Sequence, residues 1–275
     1  MKPREYTTVL TIAGSDGSGG AGIQADLKTI AAHSCYGLSV ITAVTAQSTM
    51  DVAGGGVHAI PPDFIAQQFE TIVSDIRIDA VKIGMLGPAE NAETIAALIA
   101  RLNAPIVLDT VLRSSSGVAL FAASTTAAMK RLFPLVSLIT PNLPEAAALT
   151  GRSSIPADRE QIEEIARELQ AMGAPSVLVK GGHWEGESCH DCLLHNQRFH
   201  WFSNPKITTV NTHGTGCTLS SAIASGLALE LEMPEAVTRG IDYTRRALES
   251  GANRRLGHGT GPLQHFPDQD ENRVG

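Results

Sequence analysis

Short apolar segments rich in β-branched residues alternate with segments of helical periodicity, and this alternation restricts the possible folds more than any other feature of the chain. Predicted strands cover 8–13 (TVLTIA), 38–46 (LSVITAVTA), 80–83, 105–108 and 176–180 (SVLVK). Predicted helices cover 21–32, 61–74, 89–102, 124–132, 144–149, 159–172, 215–229 and 234–249. Apolar strands that alternate with helices form a parallel sheet covered on both faces. The sequence therefore predicts an α/β fold.

Segments with a less pronounced strand pattern complete the predicted architecture. Residues 57–60 are predicted as an edge strand and 136–140 as a further strand. Residues 192–195 and 198–202 flank Asn196-Gln197, so they are predicted to form a β-hairpin. The composition is even from residue 1 to residue 275 and no linker-like segment interrupts it. One domain is therefore predicted, with 268–275 as a frayed polar tail.

Composition excludes several classes of protein. The 275 residues are 43% hydrophobic with a net charge of −7, which excludes a disordered chain. Four cysteines are too few for a disulfide scaffold, and no apolar run approaches the roughly 18 residues of a membrane-spanning helix. Residues 1–13 are interpreted as a first strand rather than a signal peptide, so a cytoplasmic protein without a membrane partner is expected. The acidic charge and the 4% aromatic content argue against nucleic acid as a partner.

Polar residues and glycines follow the predicted strands at their carboxyl ends, which is where open α/β sheets bind ligands. They are residues 14–20, Gln47, Gly84, Asp109, Asn142 and residues 180–183. These positions define the predicted site before any family is considered.

The first glycine cluster, residues 14–22 (GSDGSGGAG), lies between a predicted strand and a predicted helix. Glycines there let backbone N–H groups approach a ligand, and a helix N-terminus attracts anions. Gly17, Gly19 and Gly22 match the spacing of the dinucleotide fingerprint, but the acidic residue expected about 20 positions later is missing. A structural turn and a dinucleotide site both remain open from this cluster alone.

The second glycine cluster, residues 211–218 (NTHGTGCT), leads into a predicted helix rich in small residues. Its Gly-Thr-Gly turn leaves backbone N–H groups unpaired, and together with the helix dipole these form an anion hole. Cys217 falls in the first turn, where a thiolate is favoured. A plain glycine turn with a buried cysteine explains the segment equally well when it is taken alone. The segment is not a Walker A loop, because the Gly-Lys-[Ser/Thr] end is absent.

Three smaller motifs each have a functional and a structural interpretation. Asn142 and Glu145 offer oxygen ligands for Mg²⁺, although an ordinary helix N-terminus explains them better when they are taken alone. Lys180 can reach a phosphate from its strand end, or it can simply face solvent. Cys189 and Cys192 have the spacing of a zinc ligand pair, but without a second pair a surface hairpin is the better interpretation.

Several long segments, in the same order, resemble the ribokinase-like small-molecule kinases and, more narrowly, the hydroxymethylpyrimidine/phosphomethylpyrimidine kinases of thiamine biosynthesis. The resemblance runs from Leu10 to about Phe266 and rests on LTIAGSDGSGGAGIQADLKT, GLSVITAVTAQST, VKIGML, SLITPNLPEAAAL, VLVKGGH, NTHGTGCTLSSAIA and GHGTGP. It implies a three-layer α/β/α sandwich with a mostly parallel central sheet, and a homodimer. It also implies that ATP and Mg²⁺ are used to phosphorylate the hydroxymethyl group of 4-amino-5-hydroxymethyl-2-methylpyrimidine and then the monophosphate, which gives the pyrophosphate.

The resemblance assigns one end of the site to the pyrimidine. Gln47 and Asp26 are implied to hydrogen-bond the ring edge and its exocyclic amine. Met85 and Val111 are implied to form apolar walls. The residues implied to contact this substrate are Gln47, Asp26, Gly14, Met85, Val111 and His213.

The resemblance assigns the second glycine cluster to phosphoryl transfer. Gly214, Thr215 and Gly216 are implied to direct N–H groups at the migrating phosphoryl group. Lys180 is implied to meet the ATP phosphates as a point charge. The nucleotide is further implied to contact Asn142, Gly214 and Gly216, and Mg²⁺ to bind at Asn142, Glu145 and Asp109.

Cys217 stands where most ribokinase-like enzymes have Asp, and a Cys there is typical of the pyrimidine kinases. Its thiolate, with a pKa lowered by the helix N-terminus, is implied to accept the alcohol proton, unless the residue acts only through its backbone N–H. A pyridoxal or pyridoxine kinase is the close alternative, as a sole or additional activity, and Cys217 together with Gln47 favours the pyrimidine. A dinucleotide-binding oxidoreductase and a catalytically silent nucleotide-binding module are the alternatives from other classes.

Overall fold

The computed structural model describes residues 5–50, 52–112, 123–182 and 186–267, and nine strands within these residues form one sheet. The strands are β1 (Thr8–Asp16), β2 (Tyr36–Gln47), β3 (Val52–Ala59), β4 (Ala80–Ile83), β5 (Ile106–Leu108), β6 (Leu138–Ile139), β7 (Val177–Val179), β8 (Ser188–His195) and β9 (Arg198–Pro205). Their order in the sheet is β3-β2-β1-β4-β5-β6-β7-β8-β9. The predicted tail, residues 268–275, lies outside the described residues.

The central strands are parallel and the edges are antiparallel. Strands β2, β1, β4, β5, β6 and β7 pair in parallel, whereas β3 and the β8–β9 hairpin pair in the antiparallel sense. Strand β1 has β2 on one side and β4 on the other, so the strand order reverses there. Ligands bind at such reversals, beyond the carboxyl ends of the strands. The predicted mostly parallel sheet is confirmed.

Helices cover both faces of the sheet. They are α1 (Gly22–Ala32), α2 (Pro62–Val73), α3 (Ala89–Ile99), α4 (Ala123–Lys130), α5 (Leu143–Thr150), α6 (Arg159–Ala171), α7 (Thr215–Ala228) and α8 (Met233–Gly251). None of the helices in the described part of the chain is long and apolar enough to cross a membrane.

Two apolar cores lie on opposite faces of the sheet, because successive side chains of a strand point to opposite sides. Leu10 and Ile12 of β1 belong to the core shared with α2 to α6. Val9 belongs to the core shared with α1, α7 and α8. All three side chains are almost completely buried. The predicted three-layer α/β/α sandwich is confirmed.

Three local predictions were wrong. Strand β1 continues to Asp16, so the first glycine cluster begins inside the strand, where its pairing with β2 is irregular between Ala13 and Ser15. Strand β3 begins at Val52, earlier than the edge strand predicted at residues 57–60. Strand β8 begins at Ser188, earlier than predicted.

Candidate active site

A cavity of about 380 Å³ lies at the carboxyl ends of β1, β4 and β5. The structure brings to its wall all but one of the site residues that the family resemblance implies. Those lining it are Gly14, Gln47, Met85, Asp109, Val111, Asn142, Glu145, Lys180, His213, Gly214, Thr215, Gly216 and Cys217. The exception is Asp26.

The second glycine cluster forms the N-terminus of α7 beside this cavity. Gly214 precedes the helix with a left-handed backbone (φ +85°), and a side chain there would overlap the carbonyl oxygen of Gly20. Glycine at this position therefore lets the two glycine clusters touch. The N–H of Thr215 bonds the Thr212 carbonyl (3.2 Å) instead of facing a ligand as predicted. The N–H groups of Gly216 and Cys217 remain as donors to an anion.

Cys217 is a neutral thiol in the free protein. Burial raises its pKa to about 11, and the Asp26 and Asp109 carboxylates act in the same direction. Lys82 and the Gly22 N–H lower the pKa but do not offset the burial. The prediction of a lowered pKa was therefore wrong, because the sequence shows the helix N-terminus and not the buried surroundings of the sulfur.

Asp109 and Lys180 form an ion pair on the cavity wall. Lys180 Nζ donates to Asp109 Oδ1 (2.8 Å), and the Thr140 hydroxyl donates to the same oxygen (3.1 Å). Burial by itself would raise the pKa of Asp109. The positive charges of Lys180 and Lys82 have the larger effect and hold this pKa below its usual value. Burial by itself would lower the pKa of Lys180, but the Asp109 and Glu145 carboxylates raise it above its usual value. A Cβ on Gly216 would lie 3.2 Å from Asp109 Oδ2, so this pair adjoins the α7 turn.

Asn142 and Glu145 form a reciprocal cap at the start of α5. Asn142 Oδ1 accepts from the Glu145 N–H (2.8 Å), and Glu145 Oε2 accepts from the Asn142 N–H (2.9 Å). The helix-cap interpretation of this motif is therefore present in the structure. Both residues also line the cavity, so the cap and a ligand-binding role are compatible.

The oxygen groups at this wall fit Mg²⁺. Mg²⁺ prefers carboxylate and water oxygens, and the Asp109 and Glu145 carboxylates both line the cavity. Burial raises the pKa of Glu145, which a bound cation would counter. The Asn142 oxygen is uncharged and already accepts from the Glu145 N–H, so the two charged carboxylates are the better ligands. Among the residues that the structure describes, no cluster of three His, Cys, Asp or Glu side chains could hold a metal, so water or phosphate oxygens must complete the shell.

Asp16, His213 and Gln47 form a hydrogen-bonded row at the other end of the cavity. His213 Nε2 lies 2.8 Å from Asp16 Oδ2 and 3.1 Å from Gln47 Nε2. Burial raises the pKa of Asp16, but hydrogen bonds from His213, Ser18 and the Ala21 N–H outweigh it and lower the pKa to about 2. Asp16, which lies in the predicted segment 14–20 but was assigned no role there, is thus an ionised group of the site.

Asp26 does not line the cavity, so the structure does not bring it to the position that the predicted pyrimidine contact requires. Its carboxylate is fully buried behind the wall, where it accepts hydrogen bonds from Thr11 (2.6 Å), Ser221 (2.8 Å) and Lys82. Both of its oxygens lie 2.8 Å from Lys82 Nζ. The residue at the wall is Lys82, whose side chain is 0% exposed. A lysine inside the otherwise apolar segment 80–83 was the signal in the sequence.

The cysteines of β8 behave as structural residues. Cys192 is buried in the larger core, and Cys189 is half-buried. Burial raises the pKa of each thiol to about 12, so neither is a ready metal ligand. The hairpin interpretation therefore accounts for this pair.

Comparisons with known proteins agree with the geometry. A family model described as phosphomethylpyrimidine kinase matches residues 16–264. A hydroxymethylpyrimidine/phosphomethylpyrimidine kinase from Escherichia coli K12 is 46% identical over 259 residues, which cover 94% of this chain and 96% of that protein.

Two solved structures have the same fold. A phosphomethylpyrimidine kinase from Clostridium difficile 630 superposes with a TM-score of 0.77 at 40% identity, covering 88% of this chain and 99% of that chain. A pyridoxal kinase from Staphylococcus aureus in complex with AMP-PCP superposes with a TM-score of 0.87 at 31% identity, covering 98% of this chain and 96% of that chain.

Proposed function

The chain belongs to the phosphomethylpyrimidine kinase family, and from this premise we propose that it transfers the ATP γ-phosphoryl group to the hydroxymethyl group of 4-amino-5-hydroxymethyl-2-methylpyrimidine. The resulting monophosphate is the second substrate, and its phosphorylation gives the pyrophosphate used in thiamine biosynthesis. One observation carries the proposal: a single cavity joins an anion-binding helix N-terminus to a hydrogen-bonding slot for a small ring.

The charges at the phosphoryl end of the cavity support this reaction. Phosphoryl transfer depends mainly on positioning and on stabilising the charge that develops on oxygen atoms. The N–H groups of Gly216 and Cys217, aligned with the α7 dipole, would receive the migrating group. Lys180 would meet the ATP phosphates, while its 2.8 Å bond to Asp109 keeps the ammonium charged and in place.

We propose that Asp109 and Glu145 hold Mg²⁺, directly or through water. Asn142 would position Glu145 through the helix cap and contact the nucleotide. When bound with ATP, the ion supplies positive charge to the phosphate oxygens.

The pyrimidine end of the cavity supports a flat, polar-edged substrate. Gln47 can both donate and accept hydrogen bonds at a ring edge. A side chain at Gly14 would meet Met85 Sδ at 3.2 Å, so glycine keeps the slot between them open. Met85 and Val111 provide apolar surface for the ring faces.

The test of the function is turnover of hydroxymethylpyrimidine with ATP and Mg²⁺, with the phosphorylated products followed over time. We expect the monophosphate to appear first and the pyrophosphate to follow. Binding of the pyrimidine and ATP without release of ADP would contradict the proposal and indicate a silent nucleotide-binding module. Binding of a nicotinamide dinucleotide without ATP turnover would favour an oxidoreductase.

Phosphorylation of pyridoxal is a second candidate activity, because structures of pyridoxal kinases superpose closely on this chain. Pyridoxal is also a flat heterocycle with a hydroxymethyl arm, but it lacks the aminopyrimidine edge that Gln47 would recognise. We therefore expect kcat/KM to be higher for hydroxymethylpyrimidine. Faster turnover of pyridoxal would reverse this assignment.

We expect Cys217→Ala to lower kcat by about 10²-fold while pyrimidine binding is retained. A general base contributes about 10²- to 10⁴-fold, and the lower end applies here because burial keeps most of the thiol protonated. Steady-state kinetics and pyrimidine titration measure the two effects. Cys35→Ala is the matched control, since the pKa of Cys35 is likewise raised to about 11 but its side chain does not line the cavity. If kcat of Cys217→Ala equals that of the control, the role of Cys217 is limited to its backbone N–H.

We further propose that the enzyme is cytoplasmic and that it is a homodimer, as the family resemblance implies. The exposed apolar side chains of Val44 and Met50, at and just beyond the end of β2, support an interface near this edge of the sheet. Light scattering should give about twice the chain mass of 28.9 kDa. A mass equal to one chain would contradict the dimer.

A further inference from the structure

The row Asp16–His213–Gln47 contains a proton whose position can be worked out from the groups around it. Asp16 accepts hydrogen bonds from the N–H groups of Ser18 (2.8 Å), Gly20 (3.1 Å) and Ala21 (2.8 Å). A carboxylate with these donors is ionised and can only accept. His213 Nε2, 2.8 Å from the same carboxylate, must therefore carry a hydrogen and donate it to Asp16.

This proton determines which amide atom of Gln47 lies next to His213. A half-turn of the amide exchanges its nitrogen and oxygen without moving the amide plane, so hydrogen-bonding chemistry decides between them. The amide atom next to His213 is 3.1 Å from Nε2. An N–H₂ group there would face the N–H of His213, whereas an oxygen is attracted to it.

The second neighbour of the amide leads independently to the same orientation. The other amide atom lies 3.4 Å from Thr45 Oγ1. The single hydroxyl hydrogen of Thr45 is donated to the Ser15 carbonyl (2.8 Å), so toward Gln47 this oxygen can only accept. The nitrogen of Gln47 therefore belongs on the Thr45 side and its oxygen on the His213 side.

We infer that Asp16 is a specificity-determining positioning residue, which acts through His213 to set the order of donor and acceptor that Gln47 presents to the substrate ring. The inference rests on the proposed function, in which Gln47 contacts the pyrimidine. Gln47 lines the cavity with a donor on the Thr45 side and an acceptor on the His213 side. With the hydroxymethyl arm directed at the α7 turn, as the proposed transfer requires, the ring cannot turn over. The order then matches a ring nitrogen beside an exocyclic amine, and it opposes the edge of a 4-oxo pyrimidine, which has a ring N–H beside a carbonyl.

The test is the ratio of kcat/KM for the 4-amino substrate to kcat/KM for its 4-oxo analogue, because this ratio does not depend on how much of a variant is folded. In Asp16→Ala, the acceptor of the His213 Nε2 hydrogen is removed, so the ring hydrogen is no longer fixed on Nε2 and the Gln47 amide can turn over. We expect the amino-to-oxo ratio to fall at least about tenfold, since a donor placed against a donor loses a hydrogen bond and leaves both groups unsatisfied. A ratio equal to that of the wild-type protein would overturn the inference.

Two further variants separate this role from a purely structural one. Ser18→Ala removes hydrogen bonds to the same carboxylate (2.7 and 2.9 Å) without touching His213, so it should leave the ratio unchanged. In a Gln47→Ala background, Asp16→Ala should no longer change the ratio, and a full effect there would contradict the inference.

His213→Phe provides the test if Asp16→Ala does not fold. It removes the orienting N–H and should also lower the ratio by about tenfold, whereas an unchanged ratio would count against the inference. If the wild-type protein turns over neither pyrimidine, the proposed function itself fails. If the wild-type protein turns over the amino substrate and the ratios do not respond to Asp16 or His213, only the inference fails.

Discussion

Lys82→Met should lower the free energy of unfolding by about 3–5 kcal/mol, the cost of breaking a buried ion pair from one side. Lys82 Nζ lies 2.8 Å from both oxygens of Asp26, and both side chains are 0% exposed. Burial by itself would lower the pKa of Lys82, but the Asp26 carboxylate has the larger effect and raises this pKa above its usual value. Methionine has a similar length and no charge, so the Asp26 carboxylate would be left without its cation. Urea denaturation followed by circular dichroism measures the loss.

Two controls define the cause of this loss. The double variant with Asp26→Leu replaces both charges by apolar side chains and should recover at least half of the stability. Arg131→Met breaks an exposed ion pair with Glu93 and should have a much smaller effect. If Lys82→Met unfolds at the same urea concentration as Arg131→Met, the buried pair does not have the stabilising role assigned to it.

Gly214→Ala should lower kcat at least about 10²-fold, which is the loss seen when one preorganised oxyanion donor is removed. Gly214 has φ +85°, and a Cβ there would overlap the carbonyl oxygen of Gly20. Relief of this overlap must separate the two glycine clusters and move the N–H groups of Gly216 and Cys217 away from the cavity. Steady-state kinetics with saturating ATP measures the effect.

Gly151→Ala is the matched control for backbone strain. Gly151 also has a left-handed backbone (φ +75°), but a Cβ there would meet nothing within 4 Å. This variant should be destabilised by about 1–2 kcal/mol with kcat unchanged. A Gly214→Ala protein with normal kcat would mean that the close contact between the two clusters is not needed for transfer.

The layers of the fold followed from local patterns. Continuous apolar strands such as residues 80–83 and 105–108, separated by periodic helices, are compatible with few arrangements other than a parallel sheet covered on both faces. Gln47, Asp109, Asn142 and Lys180 lie at the ends of these strands and line one cavity. These positions were predictable because the carboxyl ends of parallel strands meet at one edge of a sheet.

The differences between the predicted and the observed site share one cause, which is that residue type does not reveal the surroundings of a side chain. Cys217 begins a helix, as predicted, but its burial beside Asp26 and Asp109 outweighs the helix N-terminus and raises its pKa. Asp26 lies in a segment that resembles a substrate-binding segment of the family. Its carboxylate, however, forms an ion pair with Lys82 behind the cavity wall. Thr215 has the right position for an anion contact, but its N–H closes the turn onto Thr212.

The sequence by itself therefore determined the layered α/β architecture, the family and the glycine turns that border the ligand cavity, because these depend on residue types at short spacings. Only the tertiary structure decided which charged groups face the ligand and which are neutralised behind it. Asp26 and Lys82 are 56 positions apart, and Asp16 and His213 are 197 positions apart. Coulombic and hydrogen-bonding energies depend on distances of a few ångströms and on burial, and neither quantity is set by separation along the chain.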